Sequence, residues 1–358
     1  VKRTEKITAA AVMTFITAFS AVTLFGGRCE IPKTDKKALL DGGFSEGLMN
    51  CTAENFPMKN KWRSVGAELS SKVGEPIVNG VYIADDRLLS IGSASLEDMD
   101  PAAEFVNDFT ENYDGAVYFA AIPTSTGIYG DTLPSYLLPV TEKQQADRLY
   151  EKLSADIRKI DAYIILKMLS DNYIYCRSDT RWTSYGAYCV YRTVIQKLGF
   201  IPVSYDKYTI RHVTDSYHGN LYSCTSYMES KPDILDIYEY DDGTVIEECT
   251  GIDRDGVRRR LIPYDESNSG YELYLGEPMP FVKIRTTVNN DKKLLVIGDK
   301  SADCFVPFLT KHYSEIAIIS AQCADGDIEK YVAFDDYEQT LFLVGLDSVA
   351  EGILDNIK

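Results

Sequence analysis

The spacing of polar and apolar residues changes several times along this chain, and each change marks an element. Residues 44–72 carry apolar positions at helical spacing, interrupted near Phe56-Pro57. Asn79-Gly80-Val81-Tyr82-Ile83 and Asp85-Asp86-Arg87-Leu88-Leu89 are two alternating runs with turn-forming residues between them, which predicts a hairpin. Asp100-Pro101 opens a helix to about residue 113, with a capping aspartate and a proline at the first helical position. Ala116-Val117-Tyr118-Phe119-Ala120-Ala121-Ile122 is a short apolar run stopped by Pro123 and fits a buried strand. A loop rich in Gly, Pro, Ser and Thr follows, through Pro139. Residues 141–160 read as one long helix with Leu149, Leu153 and Ile157 a turn apart, and residues 162–166 as a strand, with a helix as the alternative.

Later elements follow the same rhythm. Residues 183–198 form a helix opened by Thr183 or Ser184, whose hydroxyl accepts from a free N–H of the first turn, and closed by Gly199. Residues 294–297, 315–319 and 340–344 are buried strands, while 302–312 and 347–357 are helices. Strands alternating with helices predict a doubly wound α/β fold with a mostly parallel sheet. In such sheets a site lies at the carboxyl ends of the strands. Residues 205–285 interrupt the alternation with short strands rich in Tyr, Asp and Gly, and are expected to be an irregular β-rich insertion or flap.

The first 28 residues follow a different rule. Lys2, Arg3 and Lys6 make a positive start, and residues 7–27 carry no charge. That run is about as long as the ~20 residues needed to span a bilayer. No small-x-small cleavage site precedes Arg28. The expectation is an uncleaved N-terminal membrane anchor, cytoplasmic at its start, with a cleaved signal peptide as the alternative. Residues 29–43 then form a linker and 44–358 an extracytoplasmic domain, membrane-anchored in the first case and secreted in the second.

Composition narrows the partners. A net charge of -17 disfavours nucleic acid and anionic surfaces, which call for a basic face. The eight cysteines show no C-x-x-C spacing, so no metal site is expected. Cys224 and Cys249 flank one acidic segment and are the expected disulfide pair, while Cys189 and Cys304 sit in apolar patterns as buried thiols. Asp241-Asp242-Gly243 and Asp335-Asp336 match no calcium loop, and no phosphate-cradling Gly-rich motif is present, so no cofactor is expected. The 25 tyrosines suit core packing, and some suit stacking on sugars.

The candidate chemistry lies in Tyr175-Cys176-Arg177-Ser178-Asp179-Thr180-Arg181-Trp182-Thr183, followed by Gly186-Ala187-Tyr188, and in Gly298-Asp299-Lys300-Ser301-Ala302-Asp303, followed by Val306-Pro307-Phe308-Leu309 and His312-Tyr313-Ser314-Glu315-Ile316. Together these resemble the DHHW family, a branch of the SGNH-hydrolase-like superfamily related to the alginate O-acetyltransferases. The first signature of that family reads Asp-His-His-Trp-Thr and the second Gly-Asp-Ser or Lys-Asp-Ser. Asn79-Gly80-Val81-Tyr82-Ile83, Ile122-Pro123-Thr124, Leu133-Pro134 and Tyr337-Glu338-Gln339-Thr340-Leu341 extend the likeness over about residues 44–350. The resemblance implies a three-layer α/β/α fold and a Ser–His–Asp mechanism for acyl transfer.

Position by position, the aspartate is Asp179, the histidine position holds Arg181 and the serine position holds Lys300. Arginine cannot accept a proton, and a lysine beside Asp299 stays charged. The resemblance therefore implies a catalytically inactive relative that binds a cell-surface glycan or an envelope protein. The alternative is an O-acyltransferase or esterase on cell-surface polysaccharide, with Ser301 as a relocated nucleophile and His218 as its base. Asp299, Trp182 and Gly219 complete the expected binding site. Asp179, Arg181, Lys300 and Asp299 are expected as a charged cluster, either salt-bridged among themselves or with Arg181 and Lys300 open to an anion.

Overall fold

A computed structural model describes residues 13, 14, 17 and 56–358, except 75, 93, 269, 325, 327 and 358. The expected anchor or signal segment, the linker and the start of the 44–72 helix lie outside the described residues, apart from those three positions. Among the described residues no helix is long and apolar enough to cross a membrane. The chain divides into two compact units, Val1–Pro76 with Thr225–Met228, and Ile77–Cys224 with Glu229–Lys358. The first carries helix α1 (Lys59–Lys72), which ends on a backbone bond from Val73 N to Leu69 O.

The second unit opens with a small antiparallel sheet of β1 (Ile77–Val78), β2 (Val81–Ile83) and β3 (Leu88–Ser90). Asn79 and Gly80 make its first turn at φ 49° and 75°, a left-handed backbone that suits these two residue types. Next come α2 (Asp100–Glu111), β4 (Ala116–Ile122), α3 (Ser125–Tyr129), α4 (Glu142–Lys152), β5 (Arg158–Asp161), α5 (Ala162–Met168) and α6 (Ser184–Lys197). After them run β6 (Thr209–Tyr217), α7 (Asn220–Thr225), β7 (Asp233–Glu239), β8 (Ile246–Ile252), β9 (Arg258–Arg260) and β10 (Phe281–Thr286). The chain closes with β11 (Lys293–Gly298), α8 (Val306–Leu309), β12 (Glu315–Ser320), β13 (Gln339–Gly345) and α9 (Leu346–Ala350).

The central sheet has the order β5-β4-β13-β11-β12-β10-β8-β9. It is parallel from β5 to β12, then antiparallel through β10, β8 and β9. Strand alternation separates two cores. Tyr118, Ala120, Val296 and Leu341 face one layer with α6, and Phe119, Ala121, Ile297 and Phe342 face the other with α2 and α4. The result is a three-layer α/β/α arrangement whose parallel strands read as unbroken apolar runs because both faces are covered. The 205–285 stretch divides its strands. β6 and β7 pair with each other, and β8, β9 and β10 extend the main sheet.

Several expected boundaries shift for local reasons. The 141–160 helix stops at Lys152, where Leu153 turns extended. Leu153 and Ile157 are buried in the link to β5, so the apparent helical spacing came from a loop packed on the same core. Residues 162–166 take the helical alternative, because the Asp161 carboxylate accepts the Ile164 N–H at 3.0 Å and starts α5. Asp100 is the first residue of α2 rather than its cap, continuing a 3-10 turn and pairing with Arg148 at 2.7 Å. The expected 302–312 helix is a 3-10 turn (Lys300–Ala302) and the short α8, restarted with Pro307 in its first turn. The 347–357 helix likewise splits into α9 and a turn (Ile353–Asn356).

The expected Cys224–Cys249 disulfide is absent. Cys249 is buried on β8, Cys224 is exposed on α7, and both are free thiols, as are Cys176, Cys189, Cys304 and Cys323. Cys304 is buried and Cys189 packs partly buried against the core.

Phe342 sits in the interior strand β13 with 0% exposure, its ring 5.3 Å from Phe109, 6.0 Å from Phe119 and 6.3 Å from Phe105. Phe342→Ala is expected to lower unfolding free energy by ~3–5 kcal/mol, measured by urea denaturation.

Candidate functional site

The loop between α5 and α6 is pinned before it reaches any functional side chain. Asp233, wholly buried at the start of β7, accepts Arg177 N at 2.6 Å, Ser178 N at 2.8 Å, Ser178 Oγ at 2.5 Å and Tyr173 Oη at 2.6 Å. Leu88 N of β3 donates to Arg177 O at 2.7 Å, and Tyr175 bridges to Trp182 across the loop. Thr183 then caps α6 by accepting Gly186 N at 3.2 Å. Gly186 has no room for a side chain, because a Cβ there would stand 2.2 Å from Ile174 O.

Asp179 lies at the tip of this loop with 0% exposure. A buried carboxylate is costly unless paired and hydrogen-bonded. Here Oδ1 accepts Arg181 N at 3.0 Å and Arg181 Nε at 2.9 Å. Oδ2 accepts Arg181 Nη2 at 2.7 Å, Tyr217 Oη at 2.7 Å and Asn220 N at 3.2 Å. Tyr217 Oη in turn accepts Arg181 Nη2 at 2.6 Å, and the guanidinium lies 3.9 Å from the centroid of the Tyr271 ring. Gly219 packs directly against the aspartate, since a Cβ at 219 would sit 2.3 Å from Asp179 Cβ. Burial alone would raise the Asp179 pKa, but the charge and hydrogen bonds of Arg181, with Tyr217, outweigh it and hold the carboxyl at about 2.

The second loop follows β11 at its carboxyl end. Asp299 is buried and caps the turn. Its Oδ1 accepts Ser301 N at 2.9 Å and its Oδ2 accepts Gly345 N at 3.0 Å. Burial and the neighbouring Asp347 raise its pKa. Lys300 Nζ donates to Asp347 Oδ2 at 3.0 Å. Burial works against its charge, but Asp347 and Asp299 outweigh this and raise the ammonium pKa. The two loops meet where Trp182 Nε1 donates to Ser301 O at 3.1 Å, with the indole stacked on Phe305 at 6.0 Å.

Both signature loops and Gly219 therefore converge, but in two separate charge pairs, Arg181–Asp179 and Lys300–Asp347. Each cation is matched to a carboxylate, Arg181 to Asp179 and Lys300 to Asp347 rather than to Asp299. Ser301 is 7% exposed and its Oγ makes no hydrogen bond to a described residue. His218 is exposed and stacks on Tyr222 at 4.0 Å, with no hydrogen bond to Ser301 or Asp179. His312 is buried far along the chain, bonded to Tyr191 Oη at 2.6 Å, and burial pushes its pKa down to about 4.

The cavity bounded by Thr124, Thr180, Arg181, Lys300, Ser301 and Asp347 measures about 10 Å³, at the threshold for one water. A wider cleft of about 260 Å³ is lined by Arg181 and Lys300 together with Asn220, Glu272, Asp303 and Gln322. Burial pushes Asp303 up to about 7. Among the described residues no group of three or more His, Cys, Asp or Glu has the arrangement to hold a metal.

The stretch Tyr217-His218-Gly219-Asn220-Leu221 resembles a family segment beside the site, and Tyr217 and Asn220 both reach Asp179, while sequence reasoning missed Asp233, Tyr271 and Asp347. Asp347 alone had a usable signal, because it stands just past the carboxyl end of β13, beside β11 in the sheet.

A family model described as "DHHW protein" matches residues 48–319. No functionally curated protein matches the sequence. Among solved structures, a DHHW family protein from Eubacterium siraeum is similar, with 22% identity and a TM-score of 0.66, over 78% of this chain and 97% of that one. Bacillus cereus PatB1 with a sulfonyl adduct matches at 19% identity and a TM-score of 0.66, over 78% of this chain and 98% of that one. The O-acetyltransferase domain of Pseudomonas putida AlgJ matches at 14% identity and a TM-score of 0.46, over 76% of this chain and 92% of that one.

Asp179→Asn removes the charge that neutralises Arg181 and is expected to cost ~3–5 kcal/mol at pH 7 in urea unfolding. Asp179→Asn combined with Arg181→Met should recover much of that loss. The native carboxyl titrates at about 2 against an ordinary 3.8, so it binds protons less readily when folded. Its contribution, roughly 2 kcal/mol, is present above pH 4 and lost as pH falls from 4 through 2. The double variant should show a flatter acid limb over that window.

Proposed function

The chain belongs to the DHHW family, and within that family we propose that it is a member that binds rather than catalyses, taking a neutral, hydroxyl-rich glycan or a glycan-bearing envelope partner outside the cytoplasm. The observation that carries this reading is the clamp of Arg181 on Asp179. A triad needs an imidazole there to take a proton, and a guanidinium already bonded to the aspartate cannot do so. The attacking hydroxyl is missing as well, since Lys300 is an ammonium held by Asp347. Ser301 lacks an imidazole, and both oxygens of the adjacent Asp299 are occupied by backbone N–H groups.

The surrounding space supports a neutral ligand. Both cations at the site are matched, while Asn220, Glu272, Ser320 and Gln322 offer donors and acceptors to hydroxyl groups along the cleft. Placement outside the cytoplasm rests on the positive start and the charge-free run of residues 7–27.

Incubated with an activated acetyl ester and a polysaccharide acceptor, the protein is expected to release product at the buffer rate, and Ser301→Ala should leave that rate unchanged. Turnover above buffer that disappears in Ser301→Ala would overturn the reading and establish a relocated nucleophile.

A further inference from the structure

Helix α1 shows its faces in the reverse of the usual order. An amphipathic helix normally buries its large apolar side chains and leaves small or polar ones in water. The buried positions of α1 are Ser64 and Ala67, with Ser71 partly covered beside them. Its large apolar residues are outside: Trp62 is 53% exposed, Val65 55% and Leu69 61%. At 3.6 residues per turn these three fall within a sector ~60° wide, across the helix from Ser64, Ala67 and Ser71. Met58 and Val73, both exposed, continue the row at its two ends. Single exposed apolar residues are ordinary, but a contiguous row of them marks a contact surface.

The charges beside the row select the contact. Lys61 and Lys72 border it on one side, and Lys59 and then Arg63 on the other. Four basic residues stand against the single acid Glu68, a net charge of +3 on α1 in a chain whose net charge is -17. Glu68 pairs with Lys72, while Lys59, Lys61 and Arg63 have no acidic partner among the described residues. The acidity of the whole chain disfavours an anionic surface, but α1 gathers a basic face at the one place where the apolar row is also found. Two copies packed row to row would bring their cations together, which argues against self-pairing.

An anionic lipid surface meets both features at once. It takes Trp62, Val65 and Leu69 into the boundary between headgroups and acyl chains, while the flanking lysine and arginine stems lie along the apolar layer and carry their charges up to the phosphates. With 14 residues the helix is ~21 Å long, too short for the ~30 Å hydrocarbon core, so it lies along a bilayer and does not cross it.

We propose that α1 is a membrane-surface helix that rests in the headgroup region of an anionic bilayer. It is distinct from residues 7–27, and the proposal stands whether or not that run spans the membrane. It also goes beyond the reading of the protein as a glycan binder, because it concerns where the protein is held and not what its cleft takes.

The test uses the two tryptophans of the chain. Trp182 is buried, so Trp62 reports on α1. The full chain is mixed with vesicles of phosphatidylcholine, alone or with phosphatidylglycerol, each prepared with and without brominated acyl chains. The Trp62 signal is the difference between the wild-type protein and Trp62→Phe. On anionic vesicles Trp62 emission is expected to move to shorter wavelength and to be quenched by bromine at least ~5-fold more than on neutral ones, with the difference shrinking in high salt. Val65→Glu with Leu69→Glu should remove the quenching, and so, separately, should Lys59→Gln, Lys61→Gln and Arg63→Gln together. All five positions are exposed or half-buried, so thermal unfolding of both variants should match the wild type. Absence of bromine quenching, or equal quenching on neutral vesicles, would overturn the proposal. A shift to shorter wavelength without quenching would overturn it too, since protein and not lipid would then cover the row. The ester assay is untouched by either result.

Discussion

A carboxylate removed from water has to find donors, and Asp179 finds five. Three come from Arg181, its neighbour two residues on, and the others from Tyr217 and the backbone of Asn220. That concentration settles the conformation of the loop tip. It draws the end of β6 and the start of α7 onto the α5–α6 connection, and it orients the guanidinium over Tyr271. The same bonds occupy the position where a proton-accepting ring would stand in a hydrolytic centre. The guanidinium that steadies the loop therefore also fills that position.

Beneath this pair sits a second buried acid with no charged partner. Asp233 satisfies itself with two backbone N–H groups and two hydroxyls. Its work is to hold the loop, and Asp179 can be placed closely against Gly219 because those bonds set the loop's conformation. The Trp182–Ser301 bond then carries the order of the first loop to the second. The site is thus a chain of supports: Asp233 under Ser178, Asp179 under Arg181, Trp182 under Ser301, and Asp299 across to Gly345.

Much of this was legible in the sequence, for reasons that differ by element. β4, β11, β12 and β13 announced themselves as short apolar runs because both of their faces are covered. The two signatures located Asp179, Arg181, Lys300 and Asp299, and the sheet topology explains why they meet. Helix lengths were harder. Leu153 and Ile157 keep helical spacing while lying in a loop, and the turn after β11 is broken by Pro307 where the pattern ran on. The joining of β8 to β10 with the main sheet depends on pairing between distant segments, which no local pattern records. Tyr271 and Asp233 are single residues that nothing near them in sequence marks out, whereas Tyr217 stands next to the candidates His218 and Gly219. The Cys224–Cys249 expectation failed because strand alternation on β8 turns Cys249 inward.

The clamp also bears on which substitutions such a chain can accept. Exchanging Arg181 alone would strip the guanidinium bonds from a carboxylate that stays buried. Exchanging Lys300 alone would leave Asp347 without its ammonium. A charge pair of this kind behaves as a ratchet: once seated, neither member can leave first without cost to the fold.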